Sequence, residues 1–222
     1  MRNNESTKNV LLVSFILCAV CSILVSVSAI LLKPLQQANK ELDVKKNLLV
    51  SAALLQPGSS KFEILAEYEK IEQLSVETSK GARTVYLAKE NGKITHYIFP
   101  VEGKGLWSTM YGFLALSPDF KTVLGMGFYD HGETPGLGGE ITNPKWLASF
   151  KGKTVFDENM NLKLRVLKGQ VDLRDDDSKY QIDGLSGATL TTKGVDRLIK
   201  FWLSEEGYLP FVNSRLGKEA TL

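Results

Sequence analysis

The chain has 222 residues, 43% of them hydrophobic, and its 27 basic and 25 acidic residues leave a formal charge of +2. That balance, with no basic cluster interleaved with aromatics, argues against nucleic acid as a partner. The two cysteines cannot make a disulfide framework, and the length beyond the N-terminal apolar run suffices for one domain with a proper core.

The 23 residues from Val10 to Leu32 carry no charge. At about 1.5 Å per residue such a helix crosses a hydrocarbon core of about 30 Å. Its serines can bond back to their own helix, so they do not veto the span. Val27-Ser28-Ala29 also fits a signal-peptide cleavage site, but the run exceeds the roughly 7–15 residues of a signal h-region. The reading is an uncleaved single-pass anchor, with residues 1–9 cytoplasmic. Flanking charge does not settle orientation, because long domains translocate largely regardless of it. Cys18 and Cys21 supply half a tetrahedral site at most and read as small apolar residues of a membrane helix.

A stalk helix is predicted over residues 33–58, with Leu35, Ala38, Leu42, Leu49 and Ala52 on one stripe and Gln56-Pro57-Gly58 as its stop. Residues 59–222 then form the soluble domain. Thr84–Leu87 and Ile94–Phe99 flank Asn91-Gly92, a strong hairpin signal. Tyr111–Leu116 and Thr122–Tyr129 flank a second turn at Ser117-Pro118-Asp119. Asn143 and Pro144 read as N-cap and first residue of a short helix. Residues 162–167 alternate and predict a further strand. Hairpins with interspersed helices make the class α+β. No dinucleotide-binding fingerprint is present, so no NADH site is expected. Gly103-Lys104-Gly105-Leu106-Trp107 reads as a Gly-rich bend whose aromatic belongs to the core. His96, His131 and the Asp175-Asp176-Asp177 run read as structural or solvated, and no metal site is expected.

Two strings carry chemistry. His131-Gly132-Glu133-Thr134-Pro135-Gly136-Leu137-Gly138-Gly139 is a stiff turn that a flat ring could approach, or simply a Pro-Gly loop. Asp183-Gly184-Leu185-Ser186-Gly187-Ala188-Thr189 leads into Thr191, Thr192 and an amphipathic stripe at Val195, Leu198, Ile199, Trp202 and Leu203. Thr189 therefore lies at a helix N-terminus, where orphan N–H groups and the positive dipole end favour an anion. On the residues alone, a small-residue turn with a Thr or Ser cap is the plainer reading. The P-loop lysine is missing, which argues against nucleotide hydrolysis.

The second string resembles the flavinylation motif Asp-x-x-Ser/Thr-Gly-Ala-Thr. The first resembles the Glu-Thr-Pro-Gly-Leu-Gly loop of FMN-binding domains in the C subunits of sodium-translocating NADH:quinone reductases. Gly-Leu-Trp-Ser-Thr-Met-Tyr-Gly, from Gly105, resembles that family too, and all three fall in family order behind an N-terminal anchor. The resemblance implies FMN joined through its phosphate to Thr189 by a flavin transferase. It implies a site of Asp183, Ser186, Gly187, Ala188, Leu190 and Thr191 together with Glu133, Thr134, Gly136, Leu137 and Gly138. Leu137 would lie against the ring and Thr134 near its polar edge. No residue is expected to act as a catalytic acid or base. The implied protein is an electron carrier in a multisubunit complex of the bacterial inner membrane, its large domain periplasmic. The homologous subunit of an Rnf-type ferredoxin:NAD oxidoreductase shares both motifs, and a membrane-anchored assembly module without flavin is the reading from another class.

Overall fold

The computed structural model describes residues 7–219, so residues 1–6 of the segment expected to be cytoplasmic lie outside it. The chain divides into two compact units, the first ending at Leu42 and the second beginning at Asp43.

Helix α1 runs unbroken over Thr7–Ser51 and contains Pro34. The expected division into a span and a separate stalk is therefore not seen. Proline lacks the N–H for one helical bond, yet the helix continues through Pro34 to Ser51. Side chains such as Phe15 and Leu31 on its first part are exposed, and Ser28 Oγ donates back to the Leu24 carbonyl at 2.8 Å. Among the described residues this is the one helix long and apolar enough to cross a membrane.

In the second unit α1 stops at Ser51, short of the expected Pro-Gly. Ala53 takes a φ of +56°, its N–H reaches the Val50 carbonyl, and the Leu54 N–H reaches that of Leu49. This paired closure satisfies the last helical carbonyls, with alanine in the position glycine usually fills. Helix α2 (Lys61–Tyr68) follows a Ser60/Glu63 capping box, each residue's side chain accepting the other's backbone N–H.

Five strands then form an antiparallel meander in the order β1-β2-β3-β4-β5. They are β1 (Glu72–Thr78), β2 (Gly81–Glu90), β3 (Lys93–Lys104), β4 (Thr109–Leu116) and β5 (Val123–Asp130). Asn91-Gly92 closes β2–β3 with Asn91 at φ +50°, as the hairpin signal predicts. Neighbouring side chains alternate between faces. Val85, Leu87, Tyr97, Phe99 and Val101 enter the main core with α4 (Thr189–Trp202) and α5 (Leu209–Glu219). On the other face lie Ile98 and Ala115, which pair across β3 and β4. There the last turn of α1 approaches β5 so closely that a Cβ at Gly125 or Gly127 would collide with Ser51.

Helix α3 (Pro144–Ala148) starts as expected, Asn143 accepting the Lys145 N–H. The strand expected over residues 162–167 shrinks to β6 (Arg165–Val166), parallel to β7 (Gln181–Ile182). Leu164 and Val166 are buried all the same. The alternation there reports burial against the core without a long partner strand. The α4 stripe lands where periodicity places it, with Val195, Leu198, Ile199, Trp202 and Leu203 at most 2% exposed. Trp202 Nε1 donates to the Glu102 carbonyl at 2.8 Å, and the Tyr208 hydroxyl to that of Pro100 at 2.7 Å. These two bonds lock α4 and the turn after it onto β3.

Candidate functional site

The two motif strings, far apart in the chain, converge on one cavity of about 360 Å³. It is lined by Glu133, Thr134, Leu137 and Gly138 from the first string and by Gly187 to Thr191 from the second. Leu106 and Trp107 complete it. The volume falls within the roughly 300–1,000 Å³ of small-molecule sites.

Thr189 is the first residue of α4, and the N-cap position is held by Ala188, which offers no side-chain acceptor. The cap expected of a hydroxyl residue is thus missing. Among the described residues the N–H groups of Thr189, Leu190 and Thr191 find no protein acceptor, as the first turn of an uncapped helix requires. They form a cradle for an anion at the positive end of the dipole. Gly187 turns the chain into the helix with a φ of +74°, beside Leu137.

The three neighbouring threonines differ in the state of their hydroxyls. Thr189 is exposed, and no hydrogen bond engages its hydroxyl among the described residues. Thr191 and Thr192 are each 1% exposed. Thr191 Oγ1 donates to Glu133 Oε2 at 2.6 Å, and Thr192 Oγ1 accepts the Leu185 N–H at 3.1 Å. Of the three hydroxyls, only that of Thr189 is exposed and unengaged among the described residues.

Trp107 overturns its sequence reading. It is 71% exposed, not core, and Leu106 beside it is 48% exposed. With Leu137 at 46% and Leu190 at 53%, four large apolar side chains are left uncovered around one cavity. Exposed apolar groups clustered in this way mark a binding surface. Sequence reasoning placed Leu137 and Leu190 here and missed Leu106 and Trp107, because a lone aromatic between hairpins usually packs inward. The signal available was its flank of Gly105 and Ser108, small residues on either side.

Glu133 is 4% exposed. Its Oε2 accepts from Leu106 N (3.0 Å) and Thr191 Oγ1 (2.6 Å), and its Oε1 from Trp107 N (2.9 Å) and Ser108 N (3.2 Å). Burial disfavours the charged form, but the bonds from Thr191, Trp107, Leu106 and Ser108 outweigh it and hold the carboxyl below its ordinary pKa. His131 Nδ1 accepts the Glu133 backbone N–H at 3.2 Å.

The remaining predicted residues lie outside the cavity lining. Ser186 is exposed at the turn, and Gly136 turns the first string at a φ of +74°. Asp183 faces away, its Oδ1 accepting the Val171 N–H at 2.6 Å and its carbonyl the Trp146 Nε1–H at 2.8 Å. Among the described residues no cluster of potential metal ligands occurs.

Known proteins resemble this chain in sequence and fold. The family model of the FMN-binding domain matches residues 105–204, which hold every residue of the cavity. The chain is 41% identical to the C subunit of the Na(+)-translocating NADH-quinone reductase of Pseudomonas aeruginosa, over 98% of this chain and all of that one. It is 39% identical to the protein of the same name from Pasteurella multocida, over 95% of each. Among solved structures, NqrC of Shewanella oneidensis superposes with a TM-score of 0.71 at 30% identity, over 81% of this chain and 99% of that one. The corresponding reductase subunit from Parabacteroides distasonis gives a TM-score of 0.66 at 28% identity, over 79% and 94%.

Proposed function

The chain belongs to the family of C subunits of Na(+)-translocating NADH-quinone reductases, and from that premise we propose that it is the membrane-anchored electron carrier of such a complex, with FMN bound covalently at Thr189. The observation that carries the attachment point is the contrast among three threonine hydroxyls in one helical turn. Thr191 and Thr192 are buried and committed to hydrogen bonds, whereas Thr189 is exposed and uncommitted.

The residues present fit the cofactor. The uncapped start of α4 offers N–H donors to a phosphodiester on Thr189 Oγ1. Trp107, Leu106, Leu137 and Leu190 offer apolar surface to the isoalloxazine ring. When bound, FMN supplies reversible one- and two-electron redox chemistry. The protein contributes attachment, orientation and the field around the ring. Thr189 is an attachment residue; as a weak nucleophile it depends on the flavin transferase for activation. A covalent tether keeps the ring within reach of donor and acceptor where no flavin pool could replace a lost one, the effective-concentration advantage of any short link. The anchor in α1 holds the domain at the inner membrane, on the periplasmic side, beside the other subunits.

The test is the intact mass of the chain co-expressed with a flavin transferase, followed by peptide mapping. The expected result is one FMN adduct on the peptide bearing Thr189, absent from Thr189→Ala, which still folds. An unmodified mass, or an adduct on Thr191 or Thr192, overturns the assignment.

A further inference from the structure

We propose that Glu133 is a positioning residue: its carboxylate braces the turn carrying Trp107 against α4 and so pre-builds the pocket around Thr189. The proposal rests on the reading that FMN occupies this pocket, and it revises the role of Glu133 within it from a flavin contact to a support.

The carboxylate is saturated by the protein itself. An ionised carboxylate offers about four acceptor sites. Glu133 meets four protein donors, three backbone N–H groups of the Leu106–Ser108 turn and the Thr191 hydroxyl. No acceptor site remains for a flavin. The packing agrees. A Cβ at Gly105 would collide with Glu133 Oε1, and one at Gly138 would stand 2.5 Å from Thr191 Oγ1 and 2.9 Å from Glu133 Oε2. Both glycines leave space for the carboxylate to reach its donors.

Trp107 sits at the tip of the β3–β4 hairpin, which the Gly105 N–H closes by donating to the Ser108 carbonyl at 2.8 Å. Its side chain is 71% exposed, so its own packing does not fix it. Its backbone is fixed through the N–H bond to Glu133, and a neighbouring tie holds the other strand end, the Gly132 N–H donating to Ser108 Oγ at 2.5 Å. Thr191 lies two residues beyond the attachment point on the same helical turn. One buried group therefore ties the hairpin tip that carries an aromatic surface to the helical turn that carries Thr189. Glutamine is a poor substitute. Its amide nitrogen cannot accept, so at least one backbone N–H would face a second donor in a buried site.

The test uses the full-length chain in detergent, as wild type, E133Q, W107A and the double variant. On chain made without the transferase, hydrogen exchange is read at the amides of 106–108, the three that bond the carboxylate. E133Q should raise exchange there by roughly tenfold or more, the scale of losing a charge-assisted acceptor, and leave the β1–β2 hairpin unchanged. On transferase-loaded chain, visible circular dichroism and fluorescence anisotropy of the tethered flavin are read. E133Q should move both toward the W107A values, and the double variant should go no further, because the two changes act through one turn. Unchanged exchange at 106–108, or fully additive flavin signals, overturns the proposal. If E133Q does not fold, T191V decides, since it removes one donor and keeps the carboxylate. A smaller rise in the same amides supports the brace, and no rise refutes it. Should loaded wild type carry no flavin by mass, the FMN reading falls while the exchange data still judge the brace.

Discussion

At the scale of single residues, Glu133 gives the sharpest pH expectation. Its folded pKa lies below the ordinary value, so the fold favours the charged form. The stability it contributes is fully present above the unfolded carboxyl pKa and is lost as pH falls through the lower folded value. Wild type should therefore melt well above E133Q at neutral pH, and the gap should close below about pH 4. Melting curves between neutral and acid pH check this; a gap constant with pH would be wrong for a carboxylate effect. Leu137 makes a second case. It is half exposed beside Gly187, so truncation costs the fold little. Leu137→Ala should leave the mass of the flavin adduct unchanged, apart from the substitution itself, and shift the flavin's midpoint potential, measured by spectroelectrochemistry, because packing on the ring tunes a cofactor that its tether retains.

At the scale of elements, α4 does two jobs. Its apolar stripe anchors it on β3, and its uncapped start faces the pocket. The first job is costly to disturb. Leu198 is 2% exposed, and Leu198→Ala should cost about 2–5 kcal/mol in urea unfolding. The last turn of α1 is held differently, by close approach. Gly127→Ala would drive a methyl group into Ser51, and overpacking of this kind costs about 1–3 kcal/mol. Exchange protection should fall at residues 46–52 while flavin loading at Thr189 persists, since the pocket draws none of its lining from α1. Loss of the adduct in that variant would show a coupling the contacts do not contain.

At the scale of the whole molecule, anchor and flavin domain are separable in composition. Residues 43–222 contain the complete core and every lining residue of the pocket. A chain lacking residues 1–33 should be soluble and accept flavin from the transferase. It should fail to restore NADH:quinone activity to membranes that lack this subunit, because a carrier with one flavin needs donor and acceptor within reach. Full activity from the truncated domain would remove the anchoring role.

Local signals in the sequence were sufficient where one segment decides its own structure. The uncharged run, the Asn91-Gly92 turn, the Asn143-Pro144 helix start and the period of α4 all appear as read, because each follows from backbone preference or from one apolar face. The capping box at Ser60 and Glu63 was equally local and went unread, as did β1 and α5. Both motif strings and their order were legible too, and with them the family. What the chain could not state is which segments meet. That Trp107 points outward, that Asp183 faces Val171, and that Thr191 is committed to Glu133 while Thr189 is free all depend on how separate segments pack. The Glu133 side chain and Thr191 lie 58 residues apart, and the Leu106 N–H lies 27 from the same carboxylate. Only the folding of β3, β4 and β5 with α4 packed on the sheet brings those groups within hydrogen-bonding distance, and it is that closure which turns two common turn sequences into one pocket.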